Sequence, residues 1–416
     1  MENIRGSLSG HLEGRTIVLG VCGSIAAVKS VELARELIRH GASVVPVMTE
    51  AATRILHPDA LEFATGNKPI LRLTGAVEHI ALLGDVQGKA DLLLVAPATA
   101  NTVSKMALGI DDSPVTTCAT VAFGTRTPVV VAPAMHEAML EHPIIGEHAQ
   151  TLRARLGVTW VEPVREERKA KLADVEAIVE AVIHRLASDG RRPGPLAGQR
   201  ALVISGATLE PLDDVRVITN RSSGRSGHVI ATELHRLGAD VNLWQGHATE
   251  PVPSFLAKST ARFSSHADLL AMAQSAPLSE FGQIWMPAAI GDFALAAPAP
   301  GKVPSDRRTW EITLHPLPKI IELVRRRAPN ATLVAFKAEA TGKTAVARAR
   351  NRLKRYRADF VVANAAASFG AAETDATLIG PRMARRHRGP KTSVLASIVA
   401  EVAKAPKRKP AKRKSK

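Results

Sequence analysis

At 416 residues the chain is longer than one hydrophobic core usually supports, so two domains are expected. Apolar residues make up 45% and aromatic residues only 3%, which calls for cores of Ala, Val, Leu and Ile and suits buried parallel strands. The net charge is +16, and eight of the basic residues lie in the acid-free tail Lys404–Lys416, expected to be disordered and solvated, with a nucleic-acid arm as the alternative.

Two cysteines, Cys22 and Cys118, stand far apart, which excludes a disulfide framework and a cysteine-based zinc site. No apolar run is long enough to cross a bilayer, and Met1–Arg15 lacks the apolar centre of a secretion signal. No membrane partner and a cytoplasmic location are therefore expected.

Residues 1–13 read as an N-terminal extension, and Thr16–Cys22 as a buried strand. The small, glycine-bearing stretch Gly20–Ala27 opens a helical pattern, Ile25–His40, that closes at Gly41. Ser43–Met48 is the next strand. Asp91–Ala96 and Pro128–Ala132 repeat the pattern, each followed by a polar turn and a helical stretch. Val158–Val161 and the helix Asp174–Ala187 close this half. Such alternation implies a parallel sheet covered on both faces, with ligands beyond the C-terminal strand ends. Chemistry is expected in the loops after Val21, Val47, Ala96 and Ala132.

The Gly/Pro-rich stretch 188–198 reads as a linker between domains at 14–187 and 199–403. The second domain restarts with strand Arg200–Ser205, helix Ser226–Leu237 and strand Asp240–Trp244. Ile284–Met286, Leu333–Phe336 and Phe360–Ala363 are further strands. Between the first strand and helix, Asn220–Gly227 is a second Gly/Ser-rich helix opening, suited to an anion. Thr341-Gly342-Lys343-Thr344 suggests a Walker phosphate loop, but Lys337 stands where its first glycine belongs, and the match is discarded.

Three loops of the first half carry a resemblance: Gly20–Ala27, Pro97-Ala98-Thr99-Ala100-Asn101-Thr102 and Pro133-Ala134-Met135-His136-Glu137-Ala138-Met139 resemble the flavin-binding cysteine decarboxylases. In the second half, Ser205–Asp213, Asn220–Gly227 and Ala288-Ala289-Ile290-Gly291-Asp292 look like phosphopantothenate–cysteine ligase. Both in this order resemble the bifunctional family of coenzyme A synthesis, over about residues 14–403. The resemblance implies a flavodoxin-like, doubly wound parallel-sheet FMN domain followed by a Rossmann-like α/β ligase domain. It also implies trimers of the flavin domain, with flavin sites at the trimer interface, and dimers of the ligase domain.

The implied ligase activates 4′-phosphopantothenate with CTP and Mg²⁺ as an acyl-cytidylate, which the amine of cysteine then displaces. By resemblance, Asn220 donates to the developing oxyanion, and Lys302 is the surviving lysine of a lysine-rich segment. Ser223, Gly224, Ala288, Ala289, Asp292, Lys302 and Phe336 match nucleotide-contacting positions. The metal ligands stay open.

The implied decarboxylase uses FMN to oxidise the substrate thiol to an electron sink before CO₂ leaves, yielding 4′-phosphopantetheine. Gly23, Ser24 and Ile25 are expected to hold the FMN phosphate by backbone N–H, and Thr49, Thr99, Ala100 and Asn101 its phosphate, ribityl chain or ring. Met135 is expected against flavin or substrate, and Cys22 to be an inert strand-end residue. His79 matches the catalytic histidine. His136 stands where most relatives have Asn, an archaeal-like variant able to bond the substrate carboxylate, more strongly as a cation. Many relatives carry a proton-donating cysteine in a flap; the equivalent stretch Glu162–Lys171 has none, and Lys169 or Lys171 is the candidate acid, the alternative being an exposed turn. A ligase with a defunct decarboxylase half is one other reading. An NAD(P)-dependent oxidoreductase is disfavoured, because neither loop reads G-x-G-x-x-G and no acid closes Ser43–Met48. A flavoprotein scaffold that binds nucleic acid is disfavoured by His79, Asn220 and Lys302.

Overall fold

A computed structural model of the chain describes residues 4–306, 308–339, 343–365 and 372–406. It divides into two compact units, Met1–Gly194 and Pro195–Lys416.

The first unit holds five parallel strands: β1 (Thr16–Val21), β2 (Ser43–Met48), β3 (Leu92–Ala98), β4 (Val129–Pro133) and β5 (Thr159–Trp160), in the order β2-β1-β3-β4-β5. This is the flavodoxin-like order, with its switch point between β1 and β3. Every residue of β3 and β4 is buried, because helices cover both faces. Leu33, Leu37, Ile178 and Ile183 pack on one face, and Val103, Met106, Val115 and Cys118 on the other. Aliphatic runs read as strands for this reason.

Two expectations for this unit need correction. The helix Ile25–His40 is divided into a 3-10 turn, Ile25–Lys29, and an α-helix, Ser30–Arg39. Only Ala27 of the turn is buried, whereas Ile25 and Val28 point outward, so its apolar residues do not serve the core. Residues 4–13 are not an extension outside the domain. Leu12 is fully buried, Leu12 N–H donates to His40 O at 2.9 Å, and Gly6 N–H to Ile38 O at 3.1 Å. Gly41, at φ +106°, lets this strap pass: a Cβ there would sit 2.8 Å from Glu13 N.

The second unit holds β6 (Arg200–Ser205), β7 (Asp240–Gln245), β8 (Thr260–Arg262), β9 (Gln283–Met286), β10 (Thr332–Glu339), β11 (Phe360–Ala365), β12 (Glu373–Ile379) and β13 (Ala384–Pro390), in the order β8-β7-β6-β9-β10-β11-β12-β13. The first six are parallel and follow the dinucleotide-fold order, with a switch point between β6 and β9. The antiparallel hairpin β12–β13 extends the sheet and has no counterpart in the sequence reading. Its outer strand, ARRHRGP, lacks an apolar alternation. Arg386 Nε reaches Asp375 at 2.8 Å and Arg385 reaches Glu401 at 2.9 Å, charges that suit an edge. Among the described residues no helix is long and apolar enough to cross a membrane.

Candidate functional site

Each unit has a cavity at its switch point. In the first, a pocket of about 620 Å³ is lined by the loops after β1, β2, β3 and β4. Four helical starts face it, each headed by a hydroxyl. Ser24 caps Ile25–Lys29, Thr49 accepts from Ala52 N at 3.2 Å, Thr99 from Thr102 N at 3.3 Å, and Ser113 from Thr116 N at 3.3 Å. Their positive dipole ends converge on one space, an arrangement that favours a phosphate. Gly23 is required by packing: a Cβ there would lie 2.4 Å from the Cβ of Ala51, so no side chain fits between the β1 and β2 loops. Burial pushes the Cys22 thiol up to about 11, which leaves it inert at neutral pH.

Beside this pocket, Val164–Glu166 and Lys169–Lys171 form a hairpin that pairs with the short strand Met135–His136. Its two turn residues, Glu167 and Arg168, both have positive φ, as a tight hairpin turn demands. The register sets Lys169 opposite His136, on the same face, with Cβ atoms about 5 Å apart. Lys171 instead donates to Glu166 at 2.8 Å and Glu167 at 3.2 Å, and these bonds raise its pKa. His136 caps the helix Glu137–Leu140, its Nδ1 accepting from Ala138 N at 3.2 Å. With Nδ1 accepting, Nε2 is the ring nitrogen left to carry the N–H, which makes His136 a donor there as an Asn amide would be.

In the second unit a cleft of about 660 Å³ opens over the ends of β6, β9, β10 and β11. Gly224, at φ +81°, heads the helix Arg225–Arg236, and the Ser205 hydroxyl donates to its carbonyl at 3.2 Å. The Asn220 amide donates to Ala289 O at 3.4 Å and Ile290 O at 3.3 Å, tying the Gly/Ser loop to the loop after β9. Six cations line the cleft: Arg221, Arg225, Lys319, Lys337, Arg352 and Lys391. The single acid among the described lining residues, Asp292, is ion-paired with Lys319. The cleft is therefore built for a polyanion.

Both halves are similar to known proteins. Residues 5–187 match the Flavoprotein family, and residues 196–405 the DNA/pantothenate metabolism flavoprotein C-terminal domain. The chain is 45% identical over 388 residues to the coenzyme A biosynthesis bifunctional protein CoaBC of Thermococcus kodakarensis, which covers 91% of this chain and 94% of the relative. It is 35% identical over 367 residues to the protein of that name from Methanocaldococcus jannaschii (87% and 86% covered), and 33% over 365 to the one from Vibrio cholerae (85% and 88%). The chain belongs to the CoaBC family. It joins a flavoprotein phosphopantothenoylcysteine decarboxylase to a phosphopantothenate–cysteine ligase.

Of the flavin residues expected for this CoaBC member, Gly23, Ser24, Thr49, Thr99, Ala100, Asn101 and Met135 line one pocket. Ile25 follows Ser24, is 79% exposed and lies outside the lining. His79 and His136 lie outside the lining. His79 is the second residue of the helix Glu78–Leu83, and its Nδ1 is buried without a partner. In the cleft, Asn220, Ser223, Gly224, Ala288, Ala289, Asp292 and Phe336 come together, but Lys302 does not. The sequence reading missed Ser113, whose Ser-Pro pair is an N-cap and N1 signature, and the cleft cations after β9, which no local motif unites. Thr341 and Gly342 of the discarded Walker match lie outside the described residues.

Lys302 sits on an exposed loop anchored by Asp213. That carboxylate accepts from Val215 N at 2.8 Å, Arg216 N at 2.6 Å and Val303 N at 3.1 Å, and pairs with Arg216. Burial alone would raise its pKa, but these donors win and hold it at about 2. A carboxylate with a depressed folded pKa stabilises above its unfolded value and loses that contribution as pH falls through the folded one. The stability gap between the natural chain and Asp213→Asn should be full above about pH 4 and shrink towards about pH 2. Urea unfolding of both at stepped pH reads this; a gap independent of pH contradicts it.

Proposed function

We infer that the ligase half activates 4′-phosphopantothenate with CTP and joins it to cysteine, and that the flavoprotein half uses FMN to decarboxylate the product to 4′-phosphopantetheine. The observation that carries this reading is two separate anion cradles on one chain, each a Gly/Ser loop heading a helix at a switch point. In the cleft, the substrate carboxylate attacks the α-phosphorus and expels pyrophosphate; the amine then attacks the acyl carbon and expels CMP. Ser223 and Gly224 present backbone N–H groups to phosphate, Ala288, Ala289 and Phe336 border the nucleotide, and Asp292 pairs with Lys319. Asn220 donates to the acyl oxygen. Lys302, by resemblance the ammonium that serves the acyl nucleotide, stands outside the cleft lining on the loop that Asp213 anchors. Mg²⁺ arrives on the triphosphate, since one paired carboxylate is no cage for it.

In the other half, bound FMN would supply both the two-electron oxidation of the thiol that lets CO₂ leave and the return of those two electrons that gives 4′-phosphopantetheine. Gly23 and Ile25 hold its phosphate by backbone N–H and Ser24 by its hydroxyl, since Ser24 N–H donates to Cys22 O at 2.8 Å, with Thr49, Thr99, Ala100 and Asn101 around the remainder. His136 Nε2–H orients the substrate carboxylate, His79 moves the proton at the thiol, and Lys169, in register with His136, returns a proton at the end. Lys171 is the weaker candidate, since two carboxylates hold its proton. The apolar side chains of Val77 and Ile80 beside His79 are 50% and 40% exposed, which supports a flavin site completed by another copy, in trimers of this half and dimers of the ligase half.

The test incubates the flavin-loaded protein with 4′-phosphopantothenate, cysteine, Mg²⁺ and either CTP or ATP. CTP should give pyrophosphate and CO₂ together. Pyrophosphate without CO₂ identifies a defunct flavin half, and neither product rejects the reading. Asn220→Asp loses the donor and sets a carboxylate against two carbonyls. Amide formation should fall roughly 10²- to 10³-fold with CTP binding retained, read by amide assay and CTP titration.

A further inference from the structure

Lys391 is the most buried of the six cations lining the ligase cleft, only 6% exposed, and no motif or role derived above includes it. It is the first residue of the helix Lys391–Ala403, which packs on Arg225–Arg236. Both helices begin at a cation that lines the cleft, so the N-termini, the guanidinium of Arg225 and the ammonium of Lys391 face one cavity from its Gly/Ser side. Burial lowers the pKa of Lys391, Arg225 lowers it further, and Glu250, whose N–H donates to Ser223 O at 3.1 Å, compensates only in part. Two like charges, one of them buried, stand on adjoining helix starts at the wall of one cleft, where a doubly charged anion between them would offset their repulsion.

We propose that Lys391 and Arg225 form a phosphate-dianion subsite of the ligase cleft, engaging either the phosphomonoester of the acyl substrate or the terminal phosphates of the triphosphate. This rests on the ligase reading, and it adds a specificity-determining residue to it. Charge-assisted contacts to a phosphate oxygen carry most of the recognition, and an uncharged chain of similar length keeps only the packing.

The experiment uses the full chain, with Lys391→Met and Lys391→Arg. For Lys391→Met the KM for one phosphate-bearing substrate should rise roughly 10- to 100-fold, with recovery in Lys391→Arg. A rise confined to 4′-phosphopantothenate assigns the subsite to the phosphomonoester, and a rise confined to CTP, with weaker pyrophosphate inhibition, to the triphosphate. A second readout is thermal melting: pyrophosphate or inorganic phosphate should raise the melting temperature of the natural chain and not that of Lys391→Met. Unchanged KM values with an unchanged ligand-induced shift overturn the subsite, as does a Lys391→Met protein that melts lower alone yet responds fully to ligand. If the natural chain forms no pyrophosphate with CTP or ATP, the ligase reading fails; a natural chain that reacts normally beside an indifferent Lys391→Met removes this inference alone.

Discussion

His79→Asn should lower CO₂ release from phosphopantothenoylcysteine by roughly 10²- to 10⁴-fold, the usual range for removing a general acid or base, while pyrophosphate formation stays at the natural rate. Thr74 N–H and its hydroxyl bind Glu78, and Val77 sits at φ 47°, a left-handed conformation that a β-branched residue rarely adopts. This turn sets His79 at the second position of its helix, with Nδ1 buried and without an internal partner. Asparagine keeps a polar tip of similar reach but cannot exchange a proton near neutral pH, so binding should survive and chemistry should not. Flavin absorbance, substrate KM and CO₂ release on one preparation separate these effects. The ligase cleft belongs to the other compact unit, 195–416, so loss of both activities together would contradict a division of labour between the two units.

What could be read from the chain beforehand follows from how local each signal is. β3 and β4 are aliphatic because they are buried on both faces, and every residue needed to recognise them lies within the strand. The loops Gly20–Ala27 and Asn220–Gly227 were legible because close backbone approach and helix initiation both require small residues at fixed positions. The β12–β13 hairpin was not, since its outer strand carries Arg and His where a strand reading looks for apolar alternation, and that strand's ion pairs run to Asp375 on β12 and to Glu401 on the helix Lys391–Ala403. The buried strap at 4–13 hung on one leucine. Lys319, Lys337, Arg352 and Lys391 come from four separate segments, and only the sheet order brings them to one cleft. The choice between Lys169 and Lys171 also needed the register: two residues apart on one strand, one stands opposite His136 and the other is held by two carboxylates.

The Gly/Ser loop of the ligase half makes the second strong prediction. Gly227 lies in the first turn of the helix Arg225–Arg236, where glycine costs about 1 kcal/mol relative to alanine by helix propensity alone. Alanine should therefore stabilise that position, unless space forbids it. A Cβ there would fall 2.0 Å from Ser205 Oγ and 2.3 Å from its Cβ, and Ser205 is fully buried at the end of β6, so neither partner can swing away. Helix and strand must separate by an ångström or more. That displaces Gly224, whose carbonyl takes the Ser205 hydroxyl, and with it the N–H groups offered to phosphate. Gly227→Ala should lower stability by about 1–3 kcal/mol, as overpacking does, and lower ligation at least 10²-fold, as misplacement of a binding loop does. Removing the opposing side chain tests the cause: Ser205→Gly combined with Gly227→Ala should recover much of the stability and part of the ligation, because the same gap is filled from the other side. CO₂ release from supplied phosphopantothenoylcysteine should be unchanged in both variants. If Gly227→Ala proves neutral or stabilising in urea unfolding, the helix does not rest on β6 as closely as the strand-end packing requires, and the loop's phosphate geometry must be set by something else.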